Sequence, residues 1–271
     1  MKRRKFIHTT LFSAGTVVFG KSLFASVLND KNMKLTMIYN NISDSSDLIS
    51  KWGLSMWIDY GDKAILFDTG GEEEVILNNI RQTGLDYNKL TAIIISHNHW
   101  DHINGLTAIL EKTDYKLPVY VPLEDSKSIQ EKHPKADIKG IDNFMELNTN
   151  TWTTGQLKGN FRNGYIYEQS LVLSLNENLF IITGCSHPGI VNIVKKAKEI
   201  NPEGKIKLVA GGFHLLRHSN DDVKNISDEL KALNVQNIAP SHCTGNDAIN
   251  VFKQEWGENF VNLNLGDTYN I

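Results

Sequence analysis

From Lys34 onward, short apolar and β-branched runs alternate with stretches whose apolar positions recur every three or four residues. The runs predict strands at Lys34–Tyr39, Leu54–Tyr60, Lys63–Asp68, Ala92–Ser96, Val119–Val121, Leu171–Leu175, Leu179–Thr183, Ile206–Ala210 and Asn237–Ala239. Gly61-Asp62, between the second and third, reads as a hairpin turn. Glu72 to Thr83 predicts a helix: three acids suit its positive end, and it stops before Gly84. Ile190, Ile193, Val194, Ala197 and Ile200 form a second helical stripe, with Pro188 near its first turn. Val223, Ile226, Leu230 and Leu233 form a third, behind capping residues Ser219 to Asp222. Meandering strands come first, and strands then alternate with helices. That order predicts an α/β protein of mixed sheets covered by helices, in one domain over residues 34–271.

The first 25 residues break the pattern. They hold Lys2, Arg3, Arg4, Lys5 and Lys21 but no acid, and Phe6 to Gly20 carries no Lys, Arg, Asp or Glu. That stretch falls short of the roughly twenty residues needed to span a bilayer. A basic start before a short apolar stretch reads as an export signal, and Arg3-Arg4 followed by Phe6-Ile7 resembles the twin-arginine type. Residues 1–25 are therefore expected to be an address cleaved after Ala25, and residues 26–33 a spacer. The protein is expected in the periplasm, touching the membrane only during export; an uncleaved membrane anchor is the alternative.

Charge narrows the partners. The chain has 271 residues with 28 Lys and Arg against 31 Asp and Glu, a net charge of −3. Without the five basic residues of the first 25, the remaining body is more acidic still. No clustered basic face is in view, so nucleic acid is excluded as a partner and a small molecule is expected. Cys185 and Cys243 allow at most one disulfide.

The chemistry concentrates after one strand, in Ser96-His97-Asn98-His99-Trp100-Asp101-His102. Three histidines and an aspartate lie within six residues, and imidazole and carboxylate are the donors that zinc and similar metals prefer. In an extended segment His97 and His99 share a face. Asp101 and His102 then turn toward a second position, so two metal ions are expected.

This His-x-His-x-Asp-His run resembles the signature of the metallo-β-lactamase superfamily. Leu66-Phe67-Asp68-Thr69-Gly70 matches that superfamily's upstream motif, whose aspartate orients a ligand histidine. Thr183-Gly184-Cys185-Ser186-His187-Pro188-Gly189 and Ala239-Pro240-Ser241-His242-Cys243-Thr244-Gly245 each put a histidine at a strand end. These runs, with Gly53-Leu54-Ser55, Glu168-Gln169-Ser170-Leu171 and Gly211-Gly212-Phe213-His214-Leu215, resemble the dihydropterin-methyl-ribofuranosylaminobenzene phosphate synthase-like branch. The resemblance covers nearly everything from about residue 34 onward. It implies an αββα sandwich, two mixed sheets flanked by helices, with a metal site at one sheet edge. The implied ligands are His97, His99, Asp101, His102, His187 and His242, with Asp68 behind them. They would hold two divalent ions, zinc first, with manganese or iron as alternatives.

One departure concerns the bridge between the metals. Many superfamily hydrolases carry an aspartate after the glycine at this strand end, where Gly184 is followed by Cys185. His187 with a bridging water, a Cys185 thiolate, or a weak second site are the alternatives, His187 being preferred. Glu168 is a candidate compensating acid at the pocket. Trp100 and Cys185 are further candidates for the substrate pocket, and His214, after two glycines, is a candidate proton donor or substrate clamp. Asp101 doubles as ligand and proton acceptor.

Bound metal makes water a nucleophile near neutral pH. The leading expectation is accordingly a hydrolase acting on an ester, lactone or phosphoester. The alternatives are a transferase of the synthase type in the branch name, a di-iron redox centre, and a non-catalytic metal-binding protein. Export weighs against the synthase, whose substrates are intracellular metabolites.

Overall fold

The computed structural model describes residues 33–45, 47–148 and 150–271. The expected export segment, residues 1–25, and nearly all of the spacer lie outside the described residues. Among the described residues, no helix is long and apolar enough to cross a membrane.

In chain order the first half comprises β1 (Met33–Tyr39), β2 (Ser55–Tyr60), β3 (Ala64–Phe67), α1 (Glu73–Gln82), β4 (Leu90–Ile94), α2 (Trp100–Ile103), α3 (Leu106–Lys112), β5 (Pro118–Pro122), α4 (Leu123–Lys132) and β6 (Asp137–Ile141). The second half begins with β7 (Asn143–Asn148), β8 (Thr151–Gly155), β9 (Leu157–Phe161), β10 (Gly164–Glu168), β11 (Leu171–Leu175) and β12 (Asn178–Thr183). It continues with α5 (Ile190–Lys198), β13 (Lys205–Gly212), α6 (Asn220–Ala232), β14 (Ile238–Ser241) and α7 (Asn246–Trp256), and β15 (Thr268–Asn270) ends the order.

Two mixed sheets result. The first runs β15-β1-β2-β3-β4-β5-β6, and the second β14-β13-β12-β11-β8-β7, while β9 and β10 pair only with each other. Strands β3 to β6 are parallel, as are β12 to β14. The sequence explains why: parallel neighbours need a covered crossover, and helices occupy the intervals between them. The Gly61-Asp62 turn does join antiparallel β2 and β3, with Tyr60 N–H donating to the Lys63 carbonyl at 2.9 Å.

Strand β3 shows how the layers form. Ile65 and Phe67 enter the core between the sheets, against Leu171, Leu173, Phe180 and Ile182. Ala64 and Leu66 face the other way, under Val75, Ile76 and Ile80 of α1. On the second sheet, Val172, Ile181 and Val209 lie under Ile193 and Val194 of α5, Leu230 of α6 and Phe252 of α7. Both faces of each central strand are buried, which is why the strands read as unbroken apolar runs. Each such side chain stabilises the fold by about 1.5–3 kcal/mol relative to exposure. This is the αββα sandwich that the resemblance implies.

Cap chemistry matches the reading of α6. Ser219 accepts from the Asp222 N–H while Asp222 receives the Ser219 N–H, a reciprocal box. The unpredicted elements are α2 to α4, α7, β6 to β10 and β15. Most of β6, β7 and β10 is exposed or half-buried, so no core-facing alternation marked them.

Candidate metal centre

Every candidate donor lies just beyond the C-terminal end of a strand, where parallel strands leave room for a ligand. Parallel pairing sets Phe67 beside Ile94, which places Asp68 next to Ser96. Ser96 donates its backbone N–H to Asp68 Oδ1 at 2.6 Å and its hydroxyl to Oδ2 at 2.7 Å. Asp68 sits at φ 57°, a left-handed conformation that aspartate tolerates better than most residues. On the second sheet, Thr183 pairs with Gly211 and Gly212 with Ser241, aligning the ends that carry Cys185, His214 and His242.

Two donor sets form. The ligand atoms of His97, His99 and His187 lie within 4.8 Å of one another, as do those of Asp101, His102 and His242. Four of these histidines are anchored through Nδ1, leaving Nε2 directed inward. His97 Nδ1 lies 2.9 Å from the Ser96 hydroxyl, whose own proton goes to Asp68, so His97 is the donor there. His102 Nδ1 donates to Asp68 Oδ2 at 2.7 Å, and His187 Nδ1 to Glu168 Oε2 at 2.8 Å. His242 Nδ1 donates to Asn41 Oδ1 at 2.8 Å. Second partners of this kind fix the tautomer and aim the lone pair.

The electrostatics treat the two sets differently. Burial and the neighbouring histidines hold His97 well below the usual imidazole range, and burial brings His99 down to about 4. Both are neutral donors at pH 7. Burial opposes a charge on His102, but Asp68 overcomes it and raises His102 to about 9. Burial would also raise Asp101, yet the neighbouring His242 and His102 keep it well below the usual carboxylate range. Asp101 therefore stays a carboxylate, 3.3 Å from His242 Nε2.

These residues fit divalent ions. The buried Nε2 atoms of His187 and His242 have no hydrogen-bond partner in the protein. Leaving such a group unsatisfied costs about 1–3 kcal/mol. A cation with nitrogen and oxygen preference satisfies both, and the donors fall into two sets of three.

A cavity of about 350 Å³ opens onto the donors, lined among others by Trp52, Trp100, Phe161, Arg162, Cys185 and His214. Trp100, Cys185 and His214, the candidates for the pocket, all line this cavity. A larger groove of about 590 Å³, along Asp44, Gln82 and Asp267, shares no residue with the donor sets. Glu168 needs correction. It is fully buried behind His187, accepts the backbone N–H groups of Cys185, Ser186 and His187, and does not line this cavity. Burial disfavours its charge, but the bonds from His187 outweigh that and bring it down to about 2. Glu168 orients a donor; it replaces no bridge. Cys185 and Cys243 are both free thiols.

Four contributors escaped sequence reasoning. Ser96 links Asp68 to His97, and Asn41 anchors His242. Trp52 bonds Asp101. Phe161 packs against His99, tilted by 56° with ring centroids 4.4 Å apart. Phe161 arrives on the β9–β10 hairpin, which crosses His187 so closely that a Cβ on Gly159 would lie 2.5 Å from the His187 carbonyl carbon. Gly159 was the available signal, since a glycine inside a strand marks close backbone approach.

Comparison with known proteins agrees with this geometry. The profile of the metallo-beta-lactamase superfamily matches residues 53–167. The 7,8-dihydropterin-6-methyl-4-(beta-D-ribofuranosyl)-aminobenzene-5'-phosphate synthase of Methanocaldococcus jannaschii is 30% identical, over 87% of this chain and 95% of its own. A ribonuclease Z of Lactobacillus helveticus is 32% identical, over 52% of this chain and 45% of its own. Among solved structures, Tm1679, a metal-dependent hydrolase of the beta-lactamase superfamily, is 29% identical with a TM-score of 0.72. The match covers 88% of this chain and 99% of that one.

Proposed function

The chain belongs to the metallo-beta-lactamase superfamily, in the branch of the dihydropterin synthase, and on that premise we propose that it is a metal-dependent group-transfer enzyme of the synthase type. It would join the methyl carbon of an activated pterin to the nitrogen of an aminobenzene bearing a ribose phosphate. The observation that carries this reading is the cavity: three aromatic rings, Trp52, Trp100 and Phe161, wall it beside the donor sets, and Arg162 lines it too. Aromatic walls suit flat heterocycles through stacking, and a guanidinium suits a phosphate. The likeness to the synthase along nearly its whole length supports the same choice.

His97, His99 and His187 would hold one divalent ion and Asp101, His102 and His242 another, zinc being our choice. When bound, such ions supply Lewis-acid stabilisation of charge on a leaving oxygen. The protein's own groups do the rest. The aromatic walls hold the two rings face to face, which aligns the aminobenzene nitrogen with the methylene carbon. As the carbon–nitrogen bond forms and the bond to the leaving group breaks, the nitrogen's proton passes to the Asp101 carboxylate. His214, raised by its hydrogen bond with Cys243 despite partial burial, lines the cavity and offers a hydrogen bond to the departing anion. Arg162 holds the ribose phosphate.

The test is direct. Metal-loaded protein is incubated with a dihydropterin carrying a leaving group on its 6-methyl and with the ribosylated aminobenzene phosphate. The coupled product should appear by mass spectrometry and vanish with His99→Ala; its absence with the wild type overturns the reading.

Hydrolysis is the second reading, favoured by the 29% identity to Tm1679 and by an open cavity in which Trp100 is 53% exposed. It predicts turnover of p-nitrophenyl esters or bis-p-nitrophenyl phosphate that a chelator abolishes.

A further inference from the structure

We infer that the Cys185 sulfur is a ligand common to both donor sets, standing as a thiolate between the two metal positions. This rests on reading the two sets as metal sites, and adds to them an atom neither set contains.

The geometry is specific. The ligand atoms of His97, His102 and Cys185 all lie within 4.8 Å of one another. His97 belongs to one set and His102 to the other, so the sulfur lies beside a donor from each. It lies 3.2 Å from His102 Nε2, the nitrogen that Asp68 leaves free. Independent of the cysteine, each donor set holds a buried Nε2 without a hydrogen-bond partner, that of His187 in one and that of His242 in the other.

The loop that carries the sulfur is held fast. Cys185 N–H donates to Glu168 Oε1 at 2.9 Å, and Gly212 N–H to the Gly184 carbonyl at 2.9 Å. A Cβ on Gly184 would lie 2.1 Å from Ser96 Oγ, and one on Gly212 2.6 Å from Cys243 Sγ. Both glycines are therefore required for the loop to sit this deep, and Cys185 is only 3% exposed. Cys243 has a different place: it clusters with Cys185 and His214 but with none of the six donors.

Binding would release the thiol proton to solvent as sulfur–metal bonds form. A shared thiolate has a consequence for ion choice. Soft sulfur favours zinc, cobalt(II), iron(II) or cadmium over magnesium and manganese.

The test is cobalt reconstitution of the metal-free protein, read by absorbance and by equivalents bound, so no substrate is involved. Two equivalents should bind, with a near-ultraviolet thiolate-to-cobalt band that grows with both. Cys185→Ser should remove the band and weaken binding more than about 100-fold, beyond the usual cost of losing an orienting partner. Cys185→Asp should restore two-ion binding without the band, and Cys243→Ser should keep both. Two cobalt ions bound without a band, or a band surviving Cys185→Ser, would overturn the inference while leaving the metal sites standing. No cobalt binding at all would overturn both.

Discussion

Trp52 donates its indole Nε1–H to Asp101 Oδ2 at 2.8 Å, across 49 residues of chain. The bond joins the loop before β2 to the start of α2 and fixes the carboxylate of the second donor set. Trp52 also lies 4.8 Å, ring to ring, from His242 of the same set. One side chain therefore positions two candidate ligands and walls the cavity.

Trp52→Phe should keep the ring and lose the bond. Metal affinity of the second set should fall by about 10–100-fold, with the first set unaffected. Stepwise competition against a coloured chelator separates the two; equal affinity for both steps in wild type and variant would deny Trp52 this role.

The orienting carboxylates should divide between the sets. Asp68→Asn disturbs His102, and also His97 through Ser96, whereas Glu168→Gln can keep the Oε1 that holds the Cys185 N–H and loses the Oε2 that receives His187. Elemental analysis after dialysis should find Asp68→Asn depleted in both ions and Glu168→Gln in one. Identical losses would show that the two chains of hydrogen bonds are not separate.

Acid should expose Glu168 in the metal-free protein. Its carboxyl is held at about 2 rather than 4.5, so the folded state prefers the charged form. The resulting stability, about 3 kcal/mol from that difference, is fully present above pH 4.5 and disappears as pH falls toward 2. Urea unfolding of wild type and Glu168→Gln should therefore converge across that window. A gap independent of pH would assign the effect to packing.

Arg162→Ala should separate binding from chemistry. It is exposed on the hairpin turn at φ 52° and lines the cavity. Losing a charge-assisted contact of about 1.5–3 kcal/mol should raise KM for the phosphate-bearing acceptor roughly tenfold or more, with kcat retained. The dephosphorylated acceptor should show no difference between the two proteins.

Export is testable through Arg3 and Arg4. Replacing both with lysine should hold the protein in the cytoplasm, and the exported wild type should begin at Ser26. Export would separate the enzyme from cytoplasmic pterins and so favour the hydrolytic reading over the synthase.

Much of the site was legible because its donors sit in short runs. His97, His99, Asp101 and His102 fall within six residues after an apolar strand, and that density has few structural explanations. His187 and His242 were legible only through resemblance, since each is a single histidine at a strand end. Trp52 and Asn41 were not legible at all: each reaches its partner only when β1 and β2 lie beside β3 and β14 closes the second sheet. Glu168 was misread for the same reason, because nothing local tells a pocket acid from one buried behind a histidine.

The sequence by itself determined the layers, the strand runs and the loop of donors, since these follow from apolar spacing and from residue types close together in the chain. The pairing of donors into two sets, the Cys185 sulfur beside one histidine of each and the hairpin that brings Phe161 against His99 were decided by tertiary structure alone. Those relationships join residues tens to hundreds of positions apart, and only strand register and the close approaches allowed by Gly159, Gly184 and Gly212 bring them within bonding distance.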